Sequence, residues 1–289
     1  MKAAPAASSV RNALEAATDA IAAAGSETAR LDAELLLCEA TGWDRTQLAA
    51  GPELRLPVGA SREFAAMVRR RVRREPVAYI LGRKGFRRIE LLVNQRVLIP
   101  RPESELLVEE AVELWRRGEP EEFRVLDVGT GSGAIALAVA DEIPGAHVTA
   151  IDTSMDALRV AQANVDRLGL AERVEVVSAG VASLPVRDFD LLVANMPYVS
   201  ESEWGELAPE IREYEPREAL VAGPTGLEEI EALVAVLRRG GAPSAIALEV
   251  GAGQASRVAD LLHSASFWPA VKKDLAGIER VVTAVQVVE

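Results

Sequence analysis

The 289-residue chain exceeds a single domain of about 100–200 residues and suits two, because a hydrophobic core stops growing efficiently beyond that size. Its 32 basic and 44 acidic side chains leave a formal net charge of −12, which excludes a protein that coats nucleic acid or an anionic membrane with its whole surface. One cysteine, Cys38, excludes an intrachain disulfide and a cysteine zinc site, and two histidines, His147 and His263, are too few for a histidine metal cluster.

The first 25 residues are rich in alanine, but Arg11, Glu15 and Asp19 interrupt them, so the apolar core of a secretory signal is missing. No run of about 18 apolar residues occurs, so no membrane span is expected and a cytoplasmic location is. Val10, Leu14, Ala17 and Ile21 recur at helical spacing, and Leu31, Leu35 and Cys38 do so again before the break at Gly42. A third helix is expected from Ser61 as N-cap, through Phe64, Met67, Val68 and Val72, to the residue before Pro76. Residues 1–76 thus read as a small helical domain. Residues 77–102 read as a linker with a hairpin, on the apolar stretches Val77–Leu81, Ile89–Val93 and Val97–Pro100. From residue 103 to 289 the strand candidates are Arg124–Val128, His147–Ile151, Val174–Val177, Phe189–Ala194, Ala245–Val250 and Arg280–Val288, most of them separated by helical segments. That alternation specifies an α/β domain with a mostly parallel sheet and helices on both faces.

One window runs against the acidic total. Residues 62–88 hold ten basic side chains against Glu63 and Glu75, a local charge of +8 in a chain whose remainder is −20. Two readings stand: a solvated helix face balanced by the acidic domain, or a docking strip for an RNA-containing complex.

The stretch Val125-Leu-Asp-Val-Gly-Thr-Gly-Ser-Gly133 is an apolar strand running into glycines, with Ala134–Ala140 following as a helix. Such glycines let a ligand approach the backbone at the carboxyl edge of the sheet, where free N–H groups open the next helix. Taken alone, the pattern does not separate a nicotinamide cofactor from another nucleoside. Asp152, nineteen residues past Gly133 at the end of the next strand, either accepts hydrogen bonds from both ribose hydroxyls or caps the helix at Ser154–Asn164. Asp127, charged inside the first strand, calls for a cationic partner, which the amino group of a methionine moiety would supply. Asn195-Met-Pro-Tyr198 ends the fourth strand, where α/β sheets place reacting groups. The Asn195 carbonyl and the next backbone carbonyl can accept from a planar NH2 on which Tyr198 can stack, or the segment is an Asx turn before proline.

With these residues in place the chain resembles the bacterial peptide chain release factor glutamine methyltransferases, class I enzymes of Rossmann-like fold. The likeness rests on Arg74-Glu-Pro-Val-Ala-Tyr-Ile-Leu-Gly82, Val97-Leu-Ile-Pro-Arg-Pro-Glu-Ser-Glu105, Leu126-Asp-Val-Gly-Thr-Gly-Ser-Gly133, Asn195-Met-Pro-Tyr198, Tyr214-Glu-Pro-Arg-Glu-Ala-Leu220 and Leu248-Glu-Val-Gly251. The resemblance implies S-adenosylmethionine as cofactor, a release factor as protein substrate, and methylation of the glutamine of its Gly-Gly-Gln motif. It further implies that Asp127, Gly129, Thr130, Gly131 and Gly133 surround the methionine end of the cofactor, that Asp152 holds the ribose, and that residues 1–76 bind substrate. Asn195, Pro197 and Tyr198 take the catalytic positions, Asn195 acting with the carbonyl of Met196 on the glutamine amide and touching the cofactor as well. Pro100, Arg101, Pro102 and Glu103 form a loop near the substrate, and Phe86 lines its pocket.

The chain departs from the family at two points: Met196 replaces the first proline of Asn-Pro-Pro-Tyr, and Ser178-Ala-Gly-Val181 lacks the acidic residue expected beside the adenine. These departures leave three rivals: an amino methyltransferase of nucleic acid, one of a small metabolite, and a binding protein that has lost the reaction.

Overall fold

Helical periodicity up to residue 82 and two-residue alternation in the strands beyond it gather the apolar side chains into separate cores. The computed structural model describes residues 9–183, 186–240 and 242–287, so Val288 of the last strand candidate and the first eight residues lie outside the described residues. The chain divides into two compact units. One ends at Gly82 and takes in Ala208–Tyr214; the other comprises Arg83–Leu207 and Glu215–Glu289.

In the first unit α1, Val10–Ala23, starts at Ser9, whose hydroxyl accepts from the Asn12 N–H, and it buries Val10, Leu14, Ala17 and Ile21 as their spacing requires. In α2, Ala29–Thr41, the expected stripe is out of phase: Ala33, Leu36 and Leu37 are buried, while Leu31 is 41% exposed. A leucine-rich helix offers more than one apolar stripe, and buried Asp32, paired with Arg71, fixes which face turns inward. A capping box between Asp44 and Gln47 opens a short helix absent from the sequence reading, α3, Arg45–Ala50. Helix α4, Val58–Val72, begins after Pro57 and not at Ser61, and it ends well before Pro76. Val77–Leu81 is not extended but helical, α5, set between Pro76 and the left-handed Gly82.

Five of the ten basic side chains in the 62–88 window are seen in ion pairs. Arg70 meets Glu75 at 2.6 Å, Arg71 meets Asp32 at 2.8 Å, and Arg71 and Arg74 both reach Glu210 of the short helix Pro209–Tyr214. In the second unit Arg83 pairs with Glu90, and Arg87 with Glu109 and Glu142. On α4 and at its C-cap, the side chains of Arg62, Arg69 and Arg73 have no ion pair among the described residues, and their spacing places them on one helix face.

The second unit opens with an antiparallel hairpin, β1 (Arg83–Phe86) and β2 (Ile89–Leu92), followed by α6 (Glu105–Arg116). Then come β3 (Phe123–Val128), α7 (Ala134–Glu142), β4 (Ala146–Asp152), α8 (Met155–Leu168), β5 (Val174–Ser178) and β6 (Leu191–Ala194). The two short paired strands β7 (Val199–Ser200) and β8 (Val221–Gly223) lead to α9 (Glu228–Gly240), β9 (Ala245–Glu249), α10 (Ala255–His263), β10 (Phe267–Lys273) and β11 (Glu279–Gln286). The main sheet has the order β10-β11-β9-β6-β3-β4-β5, parallel from β9 to β5 and antiparallel at β11 and β10. Its central strands are buried on both faces. Val125, Leu191, Val193, Ala245 and Ala247 turn to the core holding α6 and α7, while Leu126, Leu192, Ala194, Ile246 and Leu248 turn to the core holding α9 and α10. Strand β10 eludes the sequence reading because Pro269 and exposed Trp268 break its apolar pattern, as suits an edge strand.

Arg71 joins four polar groups in the first unit. Its guanidinium, 5% exposed, donates to Asp32, Ser26, Glu210 and the Glu75 carbonyl. Removing the cation strands the buried Asp32 carboxylate and leaves Glu210 to Arg74 alone, so Arg71→Met should lower stability by about 3–5 kcal/mol in urea denaturation, the loss typical of a broken buried pair. A loss below about 1 kcal/mol would mean that water replaces the guanidinium.

Candidate active site

Strand β3 runs into three glycines with left-handed backbone: Gly129 at φ 72°, Gly131 at φ 56° and Gly133 at φ 83°. Any other residue would lose roughly 1–2 kcal/mol at each. The N–H groups of Gly129 and Thr130 both donate to the Ile151 carbonyl at 2.9 Å, which stitches the turn to the end of β4. At Gly133 space matters too, since a Cβ would stand 3.0 Å from Leu137 Cδ1. At Gly129 and Gly131 a Cβ would meet nothing closer than 4.0 Å, so the missing side chains leave open space. That space belongs to a cavity of about 250 Å³ along the carboxyl ends of β3, β4, β5 and β6. Gly129, Gly131, Asp152, Gly180, Asn195 and Met196 are among its walls.

Asp152 lines this cavity and ties it together. Its Oδ2 accepts from the Gly131 N–H at 3.0 Å and its Oδ1 from the Ser154 N–H at 2.8 Å. The cap of α8 is Ser154, whose hydroxyl accepts from the Ala157 N–H, so Asp152 is not the helix cap.

Asp127 sits differently from the expectation. It is fully buried and off the cavity wall; its Oδ2 accepts from the Thr130 hydroxyl at 2.6 Å and the Ala136 N–H at 3.2 Å, and its Oδ1 has no partner. No cation pairs with it among the described residues. Burial, with a smaller push from the Asp152 charge, drives its pKa up to about 7, against the two hydrogen bonds that hold it down.

Asn195 follows β6 and donates through Nδ2 to the Ser104 hydroxyl at 2.9 Å. Ser104 donates to Glu249 Oε2 at 2.5 Å, and the Tyr198 hydroxyl donates to Glu249 Oε1 at 3.3 Å. Glu249, at the end of β9, is 2% exposed. Burial raises its pKa, and Glu103 adds to that, while the two hydroxyl hydrogen bonds and the Arg280 charge oppose it. Burial, then the Glu249 charge, likewise raises the Tyr198 pKa. Met196 both walls the cavity and packs its buried side chain in the core of Leu192, Leu233 and Val186.

The other site expectations fare unevenly. Phe86 does not line the pocket: its side chain is 2% exposed in the core with Leu91 and Leu107, because it lies on the inward side of β1. Thr130 is buried against Asp127, and Gly133 starts α7; neither faces the cavity. Arg101 is held by Glu215 at 2.5 Å, and Glu215 also accepts from the Ile99 N–H, so the loop before α6 is anchored to the segment after residue 214. Pro102 is exposed and Glu103 half-buried; like Arg101 and Tyr198 they are not on the cavity wall, whereas Pro197 is. The walls also include Arg96, Val97, Leu98, Thr153, Glu218 and Glu229, which the sequence reading misses. Besides Asp152, the acidic groups of the wall therefore come from the segments after residues 216 and 227, not from the stretch around Gly180. Ser104 and Glu249 are missed as well, although a glutamate in the otherwise apolar Ala245–Val250 is as clear a signal as Asp127 in β3. Among the described residues no cluster of histidine, cysteine or carboxylate suits a metal, and no helix is long and apolar enough to cross a membrane.

Residues 12–82 match the PrmC N-terminal domain and residues 125–214 a methyltransferase domain. A release factor glutamine methyltransferase from Chlorobaculum tepidum is 43% identical over 263 residues, covering 87% of this chain and 88% of that protein. The chain belongs to the release factor glutamine methyltransferase family. Relatives of the same name are 43% identical in Gloeobacter violaceus, over 86% of this chain and 88% of that one, and 38% identical in Nitratidesulfovibrio vulgaris, over 94% and 93%. Among solved structures, the hMettl16 catalytic domain in complex with a MAT2A 3′UTR hairpin aligns with a TM-score of 0.56 at 14% identity, over 69% of this chain and 77% of that one. At that identity the likeness establishes the class I methyltransferase fold alone.

Asp127 makes stability depend on pH. A carboxyl raised from 3.8 to about 7 on folding stabilises fully below its unfolded value, and that contribution is lost as pH rises through about 7. Urea denaturation between pH 5 and 8 should show stability falling with pH at up to about 1.4 kcal/mol per unit from this one group. Asp127→Asn should flatten the slope; an unchanged slope would mean that another group titrates.

Proposed function

We propose that this chain transfers a methyl group from S-adenosylmethionine to the side-chain amide nitrogen of a glutamine, that of the Gly-Gly-Gln motif of a peptide chain release factor. The observation that carries the reading is Asn195, a residue of the cavity wall beside Met196: its Nδ2 is engaged by Ser104, which leaves Oδ1 as the acceptor. Family membership supports the same substrate.

The cavity suits the cofactor. Gly129, Gly131 and Gly180 withdraw side chains from its wall, and the Asp152 carboxylate there suits a ribose diol. When bound, S-adenosylmethionine supplies an already activated methyl group on a sulfonium, so neither a metal nor a covalent nucleophile is required of the protein. An amide nitrogen is a poor nucleophile because its lone pair is delocalised. Two acceptors, Asn195 Oδ1 and the Met196 carbonyl, would hold both amide hydrogens, fix the nitrogen's direction and offset positive charge as it develops. Pro197 restricts the backbone of Met196 to extended conformations and so helps aim that carbonyl, a partial substitute for a proline at 196. Arg101, Pro102 and Glu103 are assigned to the protein substrate, as is the helical unit that precedes Arg83.

Mass spectrometry of a release factor after incubation with the chain and S-adenosylmethionine tests the reading: a gain of one methyl on the glutamine is expected. Methylation of RNA or of a metabolite in its place overturns it. Asn195→Ala should lower turnover by about 10²-fold and leave cofactor affinity nearly intact, since the lost contact positions the acceptor and not the donor. Asp152→Ala should weaken cofactor binding by about 1.5–3 kcal/mol in calorimetry, the worth of a charge-assisted hydrogen bond. Unchanged affinity would remove the ribose role.

A further inference from the structure

We propose that Glu249, acting through Ser104, is a positioning residue that locks the Asn195 amide with its oxygen toward the substrate; the assignment rests on the methyl-transfer reading above. An asparagine amide has two nearly isosteric ends, and only one of them accepts. A site that needs Oδ1 outward therefore needs something to bind Nδ2 on the other side. Ser104 does so at 2.9 Å, but a hydroxyl can bond either end, because it donates as readily as it accepts. Glu249 removes that freedom. Both of its oxygens accept from hydroxyls, and its Oε2 lies 2.5 Å from Ser104 Oγ, so the serine proton is committed to Glu249. The Ser104 oxygen is then left only with lone pairs toward Asn195, and the amide must present its NH2 there. The Tyr198 hydroxyl donates to the other carboxyl oxygen at 3.3 Å, so donation runs inward from both sides to one buried group. Ser104 and Glu249 are nearly inaccessible, at 4% and 2% exposure, and water does not scramble the chain of hydrogen bonds.

A serine proton committed to Glu249 entails a reversal that a merely structural role does not. In the enzyme with Asn195 intact, Glu249→Gln should lower kcat about tenfold with cofactor affinity within about twofold, because the glutamine amide can donate to Ser104 and release its proton toward Asn195. In the Asn195→Asp enzyme the new carboxylate is acceptor-only and faces an acceptor-only Ser104 oxygen, so turnover should be poor. Adding Glu249→Gln there frees the serine proton for that carboxylate and should raise kcat severalfold. Loss in both backgrounds, or no change in either, overturns the proposal. Should Glu249→Gln not fold, Ser104→Ala decides: kcat should fall by about tenfold or more, with Ser104→Thr restoring most of it, and undiminished turnover in Ser104→Ala overturns the lock. A substrate-free readout separates this failure from that of the functional reading. The Asn195 side-chain NH2 protons should exchange slowly in NMR spectra of the wild type and quickly in Ser104→Ala, whether or not the release factor is methylated, and equal exchange rates overturn the lock.

Discussion

Beyond the last ladder pair of β3 and β4, the Asp152 carboxylate ties together the two segments that leave these strands. By accepting from the N–H of Gly131 on one side and Ser154 on the other, it holds the turn after β3 against the start of α8. The three left-handed glycines then have only one way to run, and the Ile151 carbonyl takes the N–H groups of Gly129 and Thr130. Open space at Gly129 and Gly131 follows from that geometry, and with it the cavity. Further back, Asn164 braces the same turn, taking the Ser132 carbonyl and both backbone groups of Leu92 from a fully buried position.

Burial raises the pKa of both carboxyls buried in the sheet, and they differ in their donors. Asp127 in β3 has hydrogen-bond donors on one oxygen and nothing on the other, so burial dominates and its proton is held to about neutral pH. Glu249 in β9 has a hydroxyl on each oxygen and the Arg280 charge in reach, which oppose the same desolvation. Both are acids in otherwise apolar strands. The difference lies in who donates to them, and that is a matter of which segments the fold brings alongside.

Legibility in the sequence follows the same line. The parallel strands are readable because burial on both faces demands continuous apolar runs, and the glycine turn is readable because no other residue tolerates its backbone. The phase of α2 is not, because Leu31, Leu35, Leu36 and Leu37 support more than one stripe and the deciding group is Asp32, whose partner lies 39 residues away. Val77–Leu81 misleads because five apolar residues fit a strand or a helical turn equally well. Phe86 reaches the pocket only by likeness of position, whereas strand alternation sends it into the core. Ser104 and Glu249 are separated by 145 residues and meet only in the folded chain, so their joint bearing on Asn195 has no local signature.

The helical unit is not continuous in the chain: it takes Ala208–Tyr214 from the far side of the glycine turn. Glu210, the counter-charge of Arg74, lies 136 residues downstream of it, and Arg71 depends on the same carboxylate. During synthesis the ribosome therefore delivers Arg71 and Arg74 long before it delivers Glu210; Arg71 meets Asp32 earlier, whereas Arg74 waits for its counter-charge. The last contact of the N-terminal helices is made only after most of the methyltransferase sheet has left the ribosome, so the two halves of this protein reach completion on a shared schedule.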